Sequence, residues 1–79
     1  MENSQKLYAI LAKIFRIPAE SIIDDTSQEN TKNWDSMNAL LLVAELETIF
    51  KVKFTMAEVA STKSVGEIKT LLAKHGITL

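Results

Sequence analysis

Between Ser36 and Phe50 the chain contains neither proline nor glycine, and Leu, Ala, Glu and Met fill most of the positions. Such a run is expected to be helical, because these side chains lose little freedom in a helix. At about 100° per residue, Ala39, Leu42, Val43, Leu46, Ile49 and Phe50 fall on one stripe that runs the whole segment, the expected core face. Met37, Leu40, Leu41 and Ala44 fall on a second stripe, confined to the N-terminal half and turned away from most of the first. A small domain seldom buries both faces of a helix, so the second stripe reads as a docking surface for another protein.

Asp35, a preferred N-cap type, immediately precedes this segment, and its carboxylate is expected to accept from the free N–H groups of the first turn. Ser36 then occupies the first helical position. Its hydroxyl points outward there, among unpaired donors that favour a covalently attached phosphate. Taken alone, an Asp-Ser pair is more often an ordinary cap; the second apolar stripe beside it is what singles out Ser36.

The flanking segments predict further helices. Leu7, Ile10, Leu11, Ile14 and Phe15, with Tyr8 alongside, are spaced for an amphipathic helix from about Asn3 or Ser4 to Phe15. Pro18 stops it and makes Ile17 extended, and Pro18-Ala19-Glu20 can begin one short turn. A long polar loop follows to Asn33, pinned by Ile22 and Ile23, and a loop of that length in a small domain is usually functional or mobile. After Phe50, Lys51 to Phe54 is a connector with Val52 or Phe54 turned inward. Thr55-Met56-Ala57-Glu58 matches a capping box for a short helix from Met56 to about Ala60. Ser64-Val65-Gly66-Glu67 is a second box, opening a helix whose apolar face is Val65, Ile68, Leu71 and Leu72. Lys74, His75 and Gly76 close it, with cations at the negative helix end and glycine past the cap. His75 thus has a capping explanation rather than a catalytic one.

The chain has 79 residues, 47% hydrophobic and 24% charged, which suits one domain spanning residues 1–79 with little room for a substrate pocket. No cysteine is present, so there is no disulfide, zinc knuckle or thiol nucleophile. No stretch is long and apolar enough for a membrane span, and the N-terminus lacks a signal pattern, which leads us to expect a cytoplasmic monomer with no membrane partner. A net charge of −1 with dispersed bases argues against nucleic acid. From Glu20 to Phe50, seven acids face one base, Lys32, and this local excess would steer basic partner surfaces toward the serine.

Asp35-Ser36-Met37, followed by Leu40, Leu42-Val43, Leu46-Glu47 and Phe50, resembles the signature helix of acyl carrier proteins, whose motif reads Asp-Ser-Leu with an apolar helix behind it. The resemblance extends from the first helix to the last. It implies an all-α bundle of three main helices and one short one, with the long loop between the first two. It implies also that Ser36 carries a 4′-phosphopantetheine arm, installed from coenzyme A by a phosphopantetheinyl transferase, whose terminal thiol holds acyl groups as thioesters. On this reading Asp35 helps position the transferase. Acyl-loading and acyl-transfer or synthase enzymes would meet Met37, Leu40, Leu41 and Ala44, with Glu45, Glu47 and Trp34 beside them. The chain itself is expected to catalyse nothing, since Ser36 has no neighbouring base to activate it.

Members of that family usually have a glycine one or two residues before the Asp-Ser pair, where this chain has Asn33-Trp34. Asn33 is expected to take the glycine's backbone conformation, since Asn tolerates positive φ. Trp34 either packs over the helix start or stays partly exposed for a partner. Met37 in place of leucine keeps an adaptable apolar contact. The pathway stays open between fatty acid and specialised, polyketide-like biosynthesis, with an aminoacyl or peptidyl carrier as the first alternative. The apolar second stripe and Thr48 favour a non-fatty cargo, because fatty-acid carriers tend to place acids on that face. An unmodified helical interaction module is the alternative from another class.

Overall fold

The structure is a computed structural model that describes residues 2–79. Its four α-helices are α1 (Glu2–Phe15), α2 (Ser36–Phe50), α3 (Met56–Ser61) and α4 (Val65–Lys74), with a 3-10 turn at Ala19–Ser21. Among the described residues there is no strand beyond one isolated bridge between Ser27 and Ser64.

The core forms where three amphipathic faces meet. Leu7, Ile10, Leu11 and Phe15 of α1 pack with Leu42 and Leu46 of α2 and with Val65, Ile68 and Leu72 of α4, and Ile22 and Trp34 close it from the loop. The apolar stripe of α2 is narrower than its periodicity suggests. Leu42 and Leu46 are buried, Ala39 and Phe50 lie at the core edge, and Ile49 is 38% exposed. Of the two isoleucines only Ile22 is buried in the core, Ile23 being 60% exposed.

Left-handed residues follow both long helices. Arg16 and Lys51 each have φ 57°, and the next amide bonds back into the helix, Ile17 N–H to Ala12 O at 3.3 Å and Val52 N–H to Glu47 O at 3.2 Å. A glycine would be less strained there, but each cation lies at the negative end of a helix dipole. α4 ends on Gly76 at φ 85°, with Ile77 N–H on Leu72 O at 2.9 Å and Gly76 N–H on Ala73 O at 3.0 Å. These two bonds make a Schellman cap that also turns Ile77 onto the core.

The loop between α1 and α2 is tied to the start of α4. Val65 N–H donates to Thr26 O at 2.9 Å, Gly66 N–H to Asp24 O at 3.0 Å, and Gln28 N–H to Lys63 O at 3.0 Å. Gly66 lies against this loop, and a Cβ there would meet Asp24 O at 3.4 Å, ordinary contact distance. Lys69 Nζ pairs with Asp24 at 2.7 Å and sits 5.0 Å from the centre of the Tyr8 ring, so Asp24 and Tyr8 hold its pKa above the ordinary lysine value. Ser64 Oγ accepts from Glu67 N–H at 3.2 Å, but the Glu67 carboxylate reaches the amide of Lys63 rather than that of Ser64. The second box is therefore displaced by one residue at its return bond.

No residue of α3 is buried, and polar contacts fasten it. Thr55 and Glu58 exchange both bonds of the capping box, at 3.1 and 2.8 Å. The other Glu58 oxygen lies 3.0 Å from His75 Nε2 and 3.4 Å from Lys74 Nζ. The Thr55 amide, followed by His75 and Lys74, brings the Glu58 carboxyl from its ordinary 4.5 down to about 2 despite desolvation. A depressed carboxylate stabilises the fold above its unfolded pKa and loses that contribution as pH falls through its folded one. The unfolding midpoint should therefore decline between pH 4.5 and about 2, and Glu58→Gln should flatten that decline. Parallel pH profiles for the two proteins would contradict this role of Glu58.

Candidate functional site

The N-terminus of α2 is held by contacts from three directions. Asp35, extended at φ −113° and ψ −179°, accepts the Asn38 amide on its carboxylate at 2.8 Å, and its carbonyl accepts the Ala39 amide at 2.9 Å. Asn38 Nδ2 donates to Asn33 O at 2.7 Å, and Asn33 Nδ2 donates to Phe15 O at 2.9 Å. These bonds join the start of α2 to the end of α1. Asn33 does so without a positive φ, contrary to expectation; its work is done by the side-chain amide.

Trp34 is 3% exposed and stacked on Phe15, with ring centroids 4.4 Å apart and planes inclined by 14°. This corrects its assignment to the partner surface, since a ring enclosed against α1 offers nothing to a second protein. Glu47 is half-buried, and its carboxylate accepts the Phe54 amide at 2.9 Å and anchors the connector after α2. Glu45 remains at the surface but pairs with Lys13 of α1 at 3.3 Å. Asn33, Asn38 and Phe15 belong to the frame of the site and were not legible as such. Their contacts join residues far apart in sequence, and only the position of Asn33 beside the cap gave any signal.

On this frame Ser36 is exposed, and no carboxylate or imidazole hydrogen-bonds its hydroxyl among the described residues. Met37, Leu40 and Leu41 are 70%, 60% and 51% exposed, and Ala44 is exposed beside them. Two grooves flank this face. One of about 310 Å³ runs between α1 and α2, lined by Lys13, Ile14, Leu41, Ala44, Glu45 and Thr48. The other, of about 260 Å³, lies between α2 and α3, lined by Asp35, Ser36, Ala39 and Leu40 on one side, by Val59, Ala60, Thr62 and Lys63 of α3 and its linker, and by Gln28 of the loop. A hydroxyl with free approach, helix-terminal N–H groups to offset an anion and an adjoining apolar groove fit an attached phosphate-linked arm.

The helical bundle thus presents an exposed serine at the N-terminus of α2. The profile of the phosphopantetheine attachment site family matches residues 5–72, and the chain belongs to that family. Among curated proteins none matches. Among solved structures, the chain is similar to the solution NMR structure of a holo acyl carrier protein from Geobacter metallireducens. The TM-score is 0.78 at 28% identity, covering 94% of this chain and 85% of that one. The fold is that of acyl carrier proteins, and the prosthetic group of this family is a covalently attached phosphopantetheine.

Proposed function

We propose that the chain is an acyl carrier protein in which Ser36 Oγ bears the 4′-phosphopantetheine arm, serving fatty acid or specialised, polyketide-like biosynthesis. The observation that carries this reading is the exposed Ser36 directly behind the Asp35 cap, inside the segment that the family profile matches. The bound arm supplies the thiol that holds acyl groups as thioesters. The chain's own residues present and position. Asp35 fixes the first turn of α2, the free amides of that turn offset the negative charge of a phosphodiester, and the Trp34–Phe15 stack keeps the turn in place. A transferase, and then loading and transfer enzymes, would approach over Met37, Leu40, Leu41 and Ala44, with the carrier acting as a cytoplasmic monomer. No helix among the described residues is long and apolar enough to cross a membrane.

An aminoacyl or polyketide-type cargo is favoured over a fatty one by the exposed face of α2, which carries no acid between Ser36 and Ala44. An enzyme that docks there meets apolar side chains first. The carrier reading is tested by incubating the chain with a broad-specificity transferase and an acyl-coenzyme A, then measuring intact mass. The acylated arm should appear, and neutral hydroxylamine should release the acyl group and leave the arm. A chain that gains no mass is an interaction module rather than a carrier.

A further inference from the structure

We propose that Lys63 is a positioning residue for the arm, its ammonium pairing with the phosphodiester on Ser36 and holding the first part of the arm along the groove between α2 and α3. This rests on Ser36 being the attachment residue. Lys63 is the one cation among the residues that line the groove with Ser36, and Asp35 is the one anion. Its backbone is fixed on both sides, since its carbonyl accepts the Gln28 amide at 3.0 Å and its amide donates to Glu67 Oε1 at 3.2 Å. The linker carrying Lys63 is thus bound to the loop and to α4, and Glu67 engages its backbone rather than its ammonium. Lys6, Lys13, Lys69 and Lys74 are each matched to a carboxylate; Lys63, like Arg16, Lys32, Lys51 and Lys53, is paired with none among the described residues, and of these five cations Lys63 is the one that lines this groove.

The arm begins with a permanently anionic group attached beside the Asp35 carboxylate, in the acidic middle of the chain. That placement is repulsive unless a cation answers it. The helix terminus offers partial charge, and Lys63 on the facing wall offers a full one. A pairing there is charge-assisted, and it draws the arm past Ala39, Leu40, Val59 and Ala60, whose side chains suit its apolar carbons.

The test compares the full chain, apo and holo, as wild type, Lys63→Gln and Lys63→Arg. Lys32→Gln is the charge control, since Lys32 lines a different surface. Intact mass first confirms the arm; amide resonances and the phosphorus resonance are then followed as salt rises from about 0.02 to about 0.5 M, which shortens the screening length severalfold. Arm attachment should shift the amides of Val59, Ala60 and Lys63, and the phosphorus resonance should move with salt in wild type, Lys63→Arg and Lys32→Gln. In Lys63→Gln the salt response should vanish and the α3 shifts shrink. Failure to gain the arm would remove the carrier reading and this role together. A normal mass gain with wild-type spectra and salt response in Lys63→Gln would overturn this role alone.

Discussion

Trp34→Ala is expected to lower the unfolding free energy by about 3–5 kcal/mol, a large share of what a domain of this size possesses. Trp34 is almost fully enclosed, and its ring lies face to face with Phe15. Removing it leaves a cavity between the end of α1 and the start of α2 that the hydrogen bonds of Asn33 and Asn38 would then have to hold alone. Trp34→Phe keeps an aromatic partner for Phe15 and should recover most of the loss. Denaturant unfolding measures both variants. Because Trp34 lies two residues before Ser36, arm installation should weaken in step with the fraction unfolded. A Trp34→Ala protein with an unchanged midpoint would mean that the stack does not support the site.

The second large effect is expected at the surface, with folding spared. Leu41 is half exposed and sits on the face of α2 opposite the buried Leu46, so Leu41→Glu should leave the unfolding midpoint nearly unchanged, Glu being a comparable helix former. Against an apolar partner surface, the same change buries an unpaired charge at a cost of roughly several kcal/mol. Transfer of the acyl or aminoacyl group by the cognate enzymes should then fall by orders of magnitude. A carrier that docks mainly through acids would tolerate the added glutamate. Loss of stability would place Leu41 in the core, and unchanged loading with unchanged stability would leave the exposed stripe without a partner.

What was legible in the sequence is what depends on neighbours along the chain. The bounds of α2, the capping box at Thr55 and Glu58, and the glycine stop at Gly76 all follow from side chains within one turn of each other, and each stands as expected. Helical periodicity assigned Leu42 and Leu46 correctly, but it could not tell that Ile49 falls outside the core while Phe50 packs at its edge, because that depends on where α1 and α4 lie. The same limit explains Trp34, Glu47 and Ile23. The burial of Trp34 depends on Phe15, the Glu47 carboxylate is used by the amide of Phe54, and the choice between Ile22 and Ile23 is made by how the loop is tied to α4. Within the site, Asp35 and Ser36 were readable because cap and attachment chemistry are local. The groove that Ser36 and Lys63 both line was not, since it exists only once α3 and its linker close over α2.

The central claim is that one hydroxyl, Ser36, takes the arm. The most direct measurement is the intact mass of the wild-type chain and of Ser36→Ala after incubation with a broad-specificity phosphopantetheinyl transferase and coenzyme A, with thermal unfolding confirming that both are folded. Ser36 is exposed and outside the core, so Ser36→Ala should unfold within about 1 kcal/mol of wild type, the usual cost of a small change near a helix start. The account predicts a single phosphopantetheine added to the wild type and none to Ser36→Ala. A folded wild type that gains nothing, or a Ser36→Ala protein that still gains the arm, would contradict it.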